Sequence, residues 1–274
     1  MPQISHAQLT ATQISVINES TVLTDADVTP VVMALQQQVT NDFRPIWGTD
    51  AELKMIPQGT QPPAATWWLV ILDDSDQAGA LGYHDLTPDG LPMGKIFAAS
   101  DLKAGMSWSV TASHELLEML ADPNINLTVF AQNADTSGML YAYEVCDSCE
   151  DDSFGYKINN ILVSDFVYPA WFESFRGEGS TQFDRMNQIK NPLQLLAGCY
   201  IGVFSVTDGS GWQQQTAEKH PLNLRHRGHV GSRRERRSVP HNEWLTSLPQ
   251  RKIVTNAQQY RKLLQTIQLR KEAA

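Results

Sequence analysis

The residue types and spacing most able to do chemistry lie in Ser113-His114-Glu115-Leu116-Leu117-Glu118-Met119-Leu120-Ala121-Asp122-Pro123. On a helix, His114 and Glu118 stand at i and i+4, so they project from one face about a turn apart. That separation lets an imidazole nitrogen and a carboxylate oxygen reach a single cation at roughly 2.0–2.2 Å each. Glu115, one residue along, can take a proton from a metal-activated water and pass it to a leaving amine. The pattern follows the logic of H-E-x-x-H with glutamate in place of the second histidine. Leu116, Leu117 and Leu120 lie opposite, so the helix is expected to bury its back and show its ligands to a cleft.

Two ligands on one helix need at least one more for a hydrolytic site with an open position. A downstream acidic cluster, Glu144, Asp147, Glu150, Asp151 and Asp152, supplies candidates. Glu144 is the expected third ligand. Asp147 either binds the metal too or orients His114 by accepting its second N–H. Asp122 is at i+8 from His114, about 12 Å along a continuous helix, which makes it a helix stop or a carboxylate behind the ligands. Glu150 to Asp152 reads as a solvated acidic turn. Zinc is the expected cation, and so acid-rich a ligand set also suits a harder one.

These residues need a frame, and the chain around them reads as α/β. Strands are expected at Gln13–Val16, Leu53–Ile56, Trp67–Leu72, Ala80–Leu86 and Lys95–Ala99, the continuous apolar run at 67–72 being a central strand buried on both faces. Asp25 and Asp27 open a helix from about Val28 to Phe43, with Val28, Val31, Val32, Leu35 and Val39 on one face and Pro45 as its stop. Ser107–Ala121 is the strongest helix, ended at Asp122-Pro123. From Thr128 to Asp165 the pattern is irregular, with a strand at Ile161–Val163. Pro192–Val206 has room for one or two strands. Asn256–Lys271 resumes a helical pattern.

Composition sets the outer bounds. The longest apolar run is too short to span a membrane, and MPQISHAQLT lacks the features of a secretory signal, so a cytoplasmic location is expected. Three cysteines cannot build a disulfide framework, and the lone Cys146-x-x-Cys149 pair reads as incidental. Residues 1–218 hold 8 Lys and Arg against 27 Asp and Glu, a balance of −19, whereas residues 219–274 hold 13 against 3, a balance of +10. An acidic domain, 1–218, is therefore expected to carry a basic C-terminal arm, 219–274. That arm suits homo-oligomer or virion-type assembly by charge complementarity, or sequence-blind contact with nucleic acid phosphates. Its arginines lack the interleaved aromatics of single-strand recognition.

Ser113–Pro123, followed by Tyr143-Glu144-Val145-Cys146-Asp147 and by Val163–Phe172 (VSDFVYPAWF), resembles a family of uncharacterised bacterial and phage-encoded proteins. Its signature is S-H-E-x-x-E-x-x-x-D-P, then Y-E-V-x-D, then an aromatic-rich F-V-x-P-x-W-F segment. A looser version occurs in plant phosphate-induced, EXORDIUM-like proteins. The resemblance also takes in Trp67–Ala98 and covers about residues 40–200. It implies a zincin-like metallopeptidase fold: a small mixed twisted sheet over an active-site helix, with substrate pairing along an edge strand. Gly79–Leu86 would be that rim. His84 within it is either an ordinary strand histidine or a residue facing the cleft. The implied activity is metal-dependent hydrolysis of a peptide or protein, with Glu115 as general base. The competing reading is a catalytically silent scaffold, such as a virion or injection-apparatus component. A nucleic-acid-binding protein is the third.

Overall fold

Apolar runs decide the main sheet. In the computed structural model, which describes residues 11–75, 81–87, 90–132, 138–207 and 211–217, five strands form it. They are β1 (Thr12–Asn18), β2 (Ala51–Ile56), β3 (Trp67–Leu72), β4 (Gly82–Leu86) and β5 (Pro92–Phe97), in the order β2-β1-β3-β5-β4. β1, β2, β3 and β5 run parallel, and β4 turns back antiparallel to β5 as the edge. The expected central strand is the middle strand, with Leu69, Val70 and Ile71 buried. Residues 219–274, with the helix expected at Asn256–Lys271, and the first residues of the expected rim, Gly79 and Ala80, lie outside the described residues.

Parallel neighbours need a crossover, and α1 (Asp25–Gln38) provides it between β1 and β2. Its start is a capping box: the Thr24 hydroxyl accepts from the Asp27 amide, and the Asp27 carboxylate accepts from the Thr24 amide at 2.8 Å. The expected stop at Pro45 is not where the helical path ends. A π-helical turn, Val39–Phe43, leads into α2 (Arg44–Trp47), which closes at Gly48 in a left-handed conformation. Pro45 falls in the first turn of α2, where its missing N–H removes no helical bond.

After β5 come α3 (Ala98–Ala104) and α4 (Trp108–Ala121), the helix that bears His114. Two short hairpins follow: β6 (Thr128–Gln132) with β7 (Gly138–Ala142), and β8 (Tyr156–Ile158) with β9 (Ile161–Val163). β10 (Tyr200–Ser205) and β11 (Trp212–Thr216) join the first hairpin in a second, antiparallel sheet of order β11-β10-β7-β6. The chain is thus a mixed α+β fold. The stretch expected to be irregular holds four short strands, and 192–206 holds one, β10. Among the described residues, no helix is long and apolar enough to cross a membrane.

α4 packs on β4 and β5 on one side and on β9 on the other. Its residues from Ser109 to Leu120 are buried except Thr111, so it is enclosed rather than half-exposed beside an open cleft. Two glycines let the sheet lie this close. A Cβ on Gly82 would stand 2.6 Å from Thr111 Cγ2 and 2.8 Å from Glu115 Oε1, and one on Gly94 would stand 3.4 Å from Glu115 Cβ and 2.8 Å from Leu69 Cδ1 of the sheet itself.

On the opposite side, a closed polar network fixes the helix one residue before His114. Ser113 Oγ donates to Gln38 Oε1 at 2.7 Å, Gln38 Nε2 to the Ser164 carbonyl at 2.9 Å, and the Ser164 amide back to Ser113 Oγ at 3.0 Å. All three residues are buried. Farther along, buried Asp165 accepts from the Phe166 and Met186 amides, and buried Asp184 accepts from those of Gln188 and Ile189. Burial, and a hydrogen bond shared with Asp184, hold the Asp165 carboxyl well above the usual range, so Asp165 keeps its proton. Ser113→Ala would leave Gln38 Oε1 and the Ser164 amide buried without their partner, at a cost of about 1–3 kcal/mol. Denaturant unfolding should show that loss, and unchanged stability would mean that the network does not fix α4.

Candidate metal centre

The helical spacing of His114 and Glu118 does bring their polar atoms together: Nε2 of His114 is 3.2 Å from Oε2 of Glu118. The other Glu118 oxygen, Oε1, accepts the Cys146 amide at 3.1 Å. That bond ties α4 to the turn after Tyr143-Glu144-Val145, and the turn delivers Asp147, whose Oδ1 lies 3.3 Å from His114 Nε2. A single imidazole nitrogen therefore faces two carboxylates from separate elements. Glu150 belongs to the same group, since ligand atoms of His114, Asp147 and Glu150 lie within 4.8 Å of one another.

The sheet completes the cluster. Antiparallel pairing sets His84 of β4 opposite Gly94 of β5, at the level where the glycines let the sheet approach Glu115. His84 Nδ1 is 3.3 Å from Glu115 Oε2 and 3.5 Å from Glu118 Oε2, and its Nε2 is 3.6 Å from Glu144 Oε2. His84 thus faces the helix and its carboxylates. Glu144 enters from the His84 side, whereas Asp147 is the carboxylate set against His114. What little side-chain exposure these groups keep is largest at Glu144 (13%), His114 (10%) and Asp147 (9%), which marks the side nearest solvent.

Two further expectations change. Glu150 to Asp152 is no solvated turn: Glu150 joins the cluster, and Asp152 Oδ2 accepts the Ser107 amide at the start of α4 at 2.9 Å. Cys146 is more than incidental, because its Sγ also falls within ligand distance of His114 and Glu118, although burial holds it firmly as a thiol. Cys146, Cys149 and Cys199 are all free and buried. Asp122 acts as the helix stop, its carboxylate accepting the Asn126 and Leu127 amides. Tyr200 of β10 had no signal in the sequence. The charges of Asp147 and Glu150, with burial, hold its phenol protonated far above the usual range.

The electrostatics show what such an arrangement demands. Burial alone raises Glu118, and the Asp147 and Glu144 charges raise it further against the opposing pull of His114. Asp147 is raised chiefly by burial, and burial pushes Glu150 up to about 8. Burial works to lower both histidines, but the carboxylate charges, Glu144 foremost at His84 and Glu118 at His114, reverse the outcome and raise them. Without a cation the centre is a buried anionic cluster that holds protons to offset its charge. Imidazole nitrogens and carboxylate oxygens are the donors that zinc and its first-row neighbours accept. The residues therefore fit a divalent ion.

No protein-family model, curated protein or solved structure matches this chain.

Every resolved shift among these histidines and carboxylates has one sign, a folded pKa above the unfolded value. Such groups give stability that is present below their unfolded values and lost as pH rises through their folded ones. The ion-free fold should lose stability as pH climbs from the ordinary carboxylate and imidazole range through about 8. A bound cation replaces those protons. Saturating zinc should remove most of the fall, leaving the part due to Asp165. Thermal unfolding from about pH 6 to about pH 9, with chelator or with zinc, reads both limbs. Parallel curves would count against a cation at this centre.

Proposed function

We propose that the chain is a metal-dependent hydrolase of zincin type that cleaves peptide bonds, with zinc as the first candidate cation. The observation that carries this reading is the convergence of Glu118 Oε2 and Asp147 Oδ1 on His114 Nε2, with Glu115 on the same helix beneath an antiparallel edge strand. His114, Glu118 and Asp147 are the residues that would hold the ion. A bound divalent cation supplies Lewis acidity, easing deprotonation of water and polarising a carbonyl. Glu115 accepts the proton of the attacking water and returns it to the leaving amine. The outer edge of β4 faces no further strand among the described residues, so an extended peptide can add there by backbone pairing. The family resemblance of the sequence supports the same reading.

One observation favours a second reading. Side-chain exposure of His84, His114, Glu115, Glu118, Glu144 and Asp147 is 13% or less, as suits a scaffold that keeps an ion without turnover and serves in an assembly. Glu115→Gln separates the two. Under the hydrolase reading it retains the ion and lowers peptide cleavage about 10²–10⁴-fold. An ion held by both forms with no cleavage by either would leave the scaffold. An ion-free purified protein that also fails to take up added zinc would overturn both.

A further inference from the structure

One divalent cation does not balance this centre. Glu115, Glu118, Glu144, Asp147 and Glu150 bring five carboxylates to it, and Glu115, Glu118 and Asp147 are buried. Ligand atoms fall into two sets that share no residue, His114 with Asp147 and Glu150 and His84 with Glu115 and Glu118, with a third, His114 with Glu118 and Cys146, lying across them. Within each set the atoms lie no more than 4.8 Å apart. Each of the first two offers one imidazole and two carboxylates, enough for one divalent ion with room for water or substrate. Two such ions offset four of the five carboxylate charges while both imidazoles stay neutral. A single ion offsets only two of those charges, and retained protons must answer the rest, because uncompensated charge in a low-dielectric interior is costly.

Glu118 joins the two sets. Its Oε1 is fixed by the Cys146 amide, and its Oε2 points between the histidines, 3.2 Å from His114 Nε2 and 3.5 Å from His84 Nδ1. One carboxylate oxygen set between two imidazole nitrogens is positioned to bridge a pair of ions, which in two-metal sites stand about 3.5–4 Å apart. His84 is held there by the sheet itself, through its register opposite Gly94.

We infer that the protein has a second cation site, formed by His84 Nδ1, Glu115 Oε2 and Glu118 Oε2, beside the one on His114. Its consequence for turnover rests on the hydrolase reading above, although the site does not. An ion on Glu115 Oε2 draws charge from its carboxylate and lowers its basicity toward the water proton, so the second ion is inhibitory. Cleavage rises with the first equivalent of metal and falls with the second.

Chelator-treated full-length protein, titrated with zinc by calorimetry and then counted by elemental analysis, tests this. The wild type should bind two ions per chain, and His84→Gln one. If His84→Gln does not fold, wild-type protein loaded with Co²⁺ should show a spin-coupled pair by electron paramagnetic resonance. One ion per wild-type chain, still bound by His84→Gln and lost in His114→Ala, would overturn the second site while the hydrolase reading stands. Two ions retained by His84→Gln, or isolated uncoupled Co²⁺, would overturn it as well. No ion in the wild type would overturn both.

Discussion

An ionised carboxylate removed from water costs several kcal/mol unless opposite charge or hydrogen bonds answer it. α4 carries two of them, with a histidine, into the middle of the fold, and the turn at 146–150 brings more to meet them. Protons answer part of that charge when no ion is bound, as the raised values of Glu118, Asp147 and Glu150 show. A cation answers it better. Replacing such a cluster by apolar residues of similar volume is often neutral or stabilising, so the cluster points to a role beyond packing.

Holding the charges within ligand distance is a positioning task, and the surrounding structure performs it from several directions. The Ser113–Gln38–Ser164 network fixes α4 against α1 and the end of β9. Asp152 meets the amide at its start, and Asp122 stops it and caps the next turn. The Cys146 amide sets the Glu118 carboxylate and, through the same turn, Asp147. Glycines at 82 and 94 admit the sheet, so that His84 arrives from above. Partners that orient ligands in this way are usually as important to a metal site as the ligands themselves.

Local spacing made part of this legible. His114, Glu115 and Glu118 share a helix, so their relation follows from its period, and Asp147 lies in a short acidic motif. The parallel strands announce themselves as apolar runs, and Trp67–Leu72 takes the middle of the sheet as its composition demands. His84 was only partly legible: the expected rim left open whether it faces the cleft, because its place depends on the pairing of β4 with β5 and on a glycine ten residues later. Glu150 looked solvated in an acidic run, and only the fold, which buries its carboxyl among like charges, shows otherwise. β6, β7 and β11 are short and lack clean alternation: Phe130 is exposed, and β11 presents three glutamines. Pro45 misled because a π-helical turn shifts it into a first helical turn, which proline tolerates.

The claim on which the rest stands is that the buried cluster around His114 is a cation site. An anomalous difference map at the zinc absorption edge, from a crystal soaked in zinc, tests it most directly. The account predicts a peak at roughly 2.0–2.2 Å from His114 Nε2 and from the Glu118 carboxylate. Zinc found only on surface carboxylates, with the His114–Glu118 and His114–Asp147 contacts intact, would contradict it.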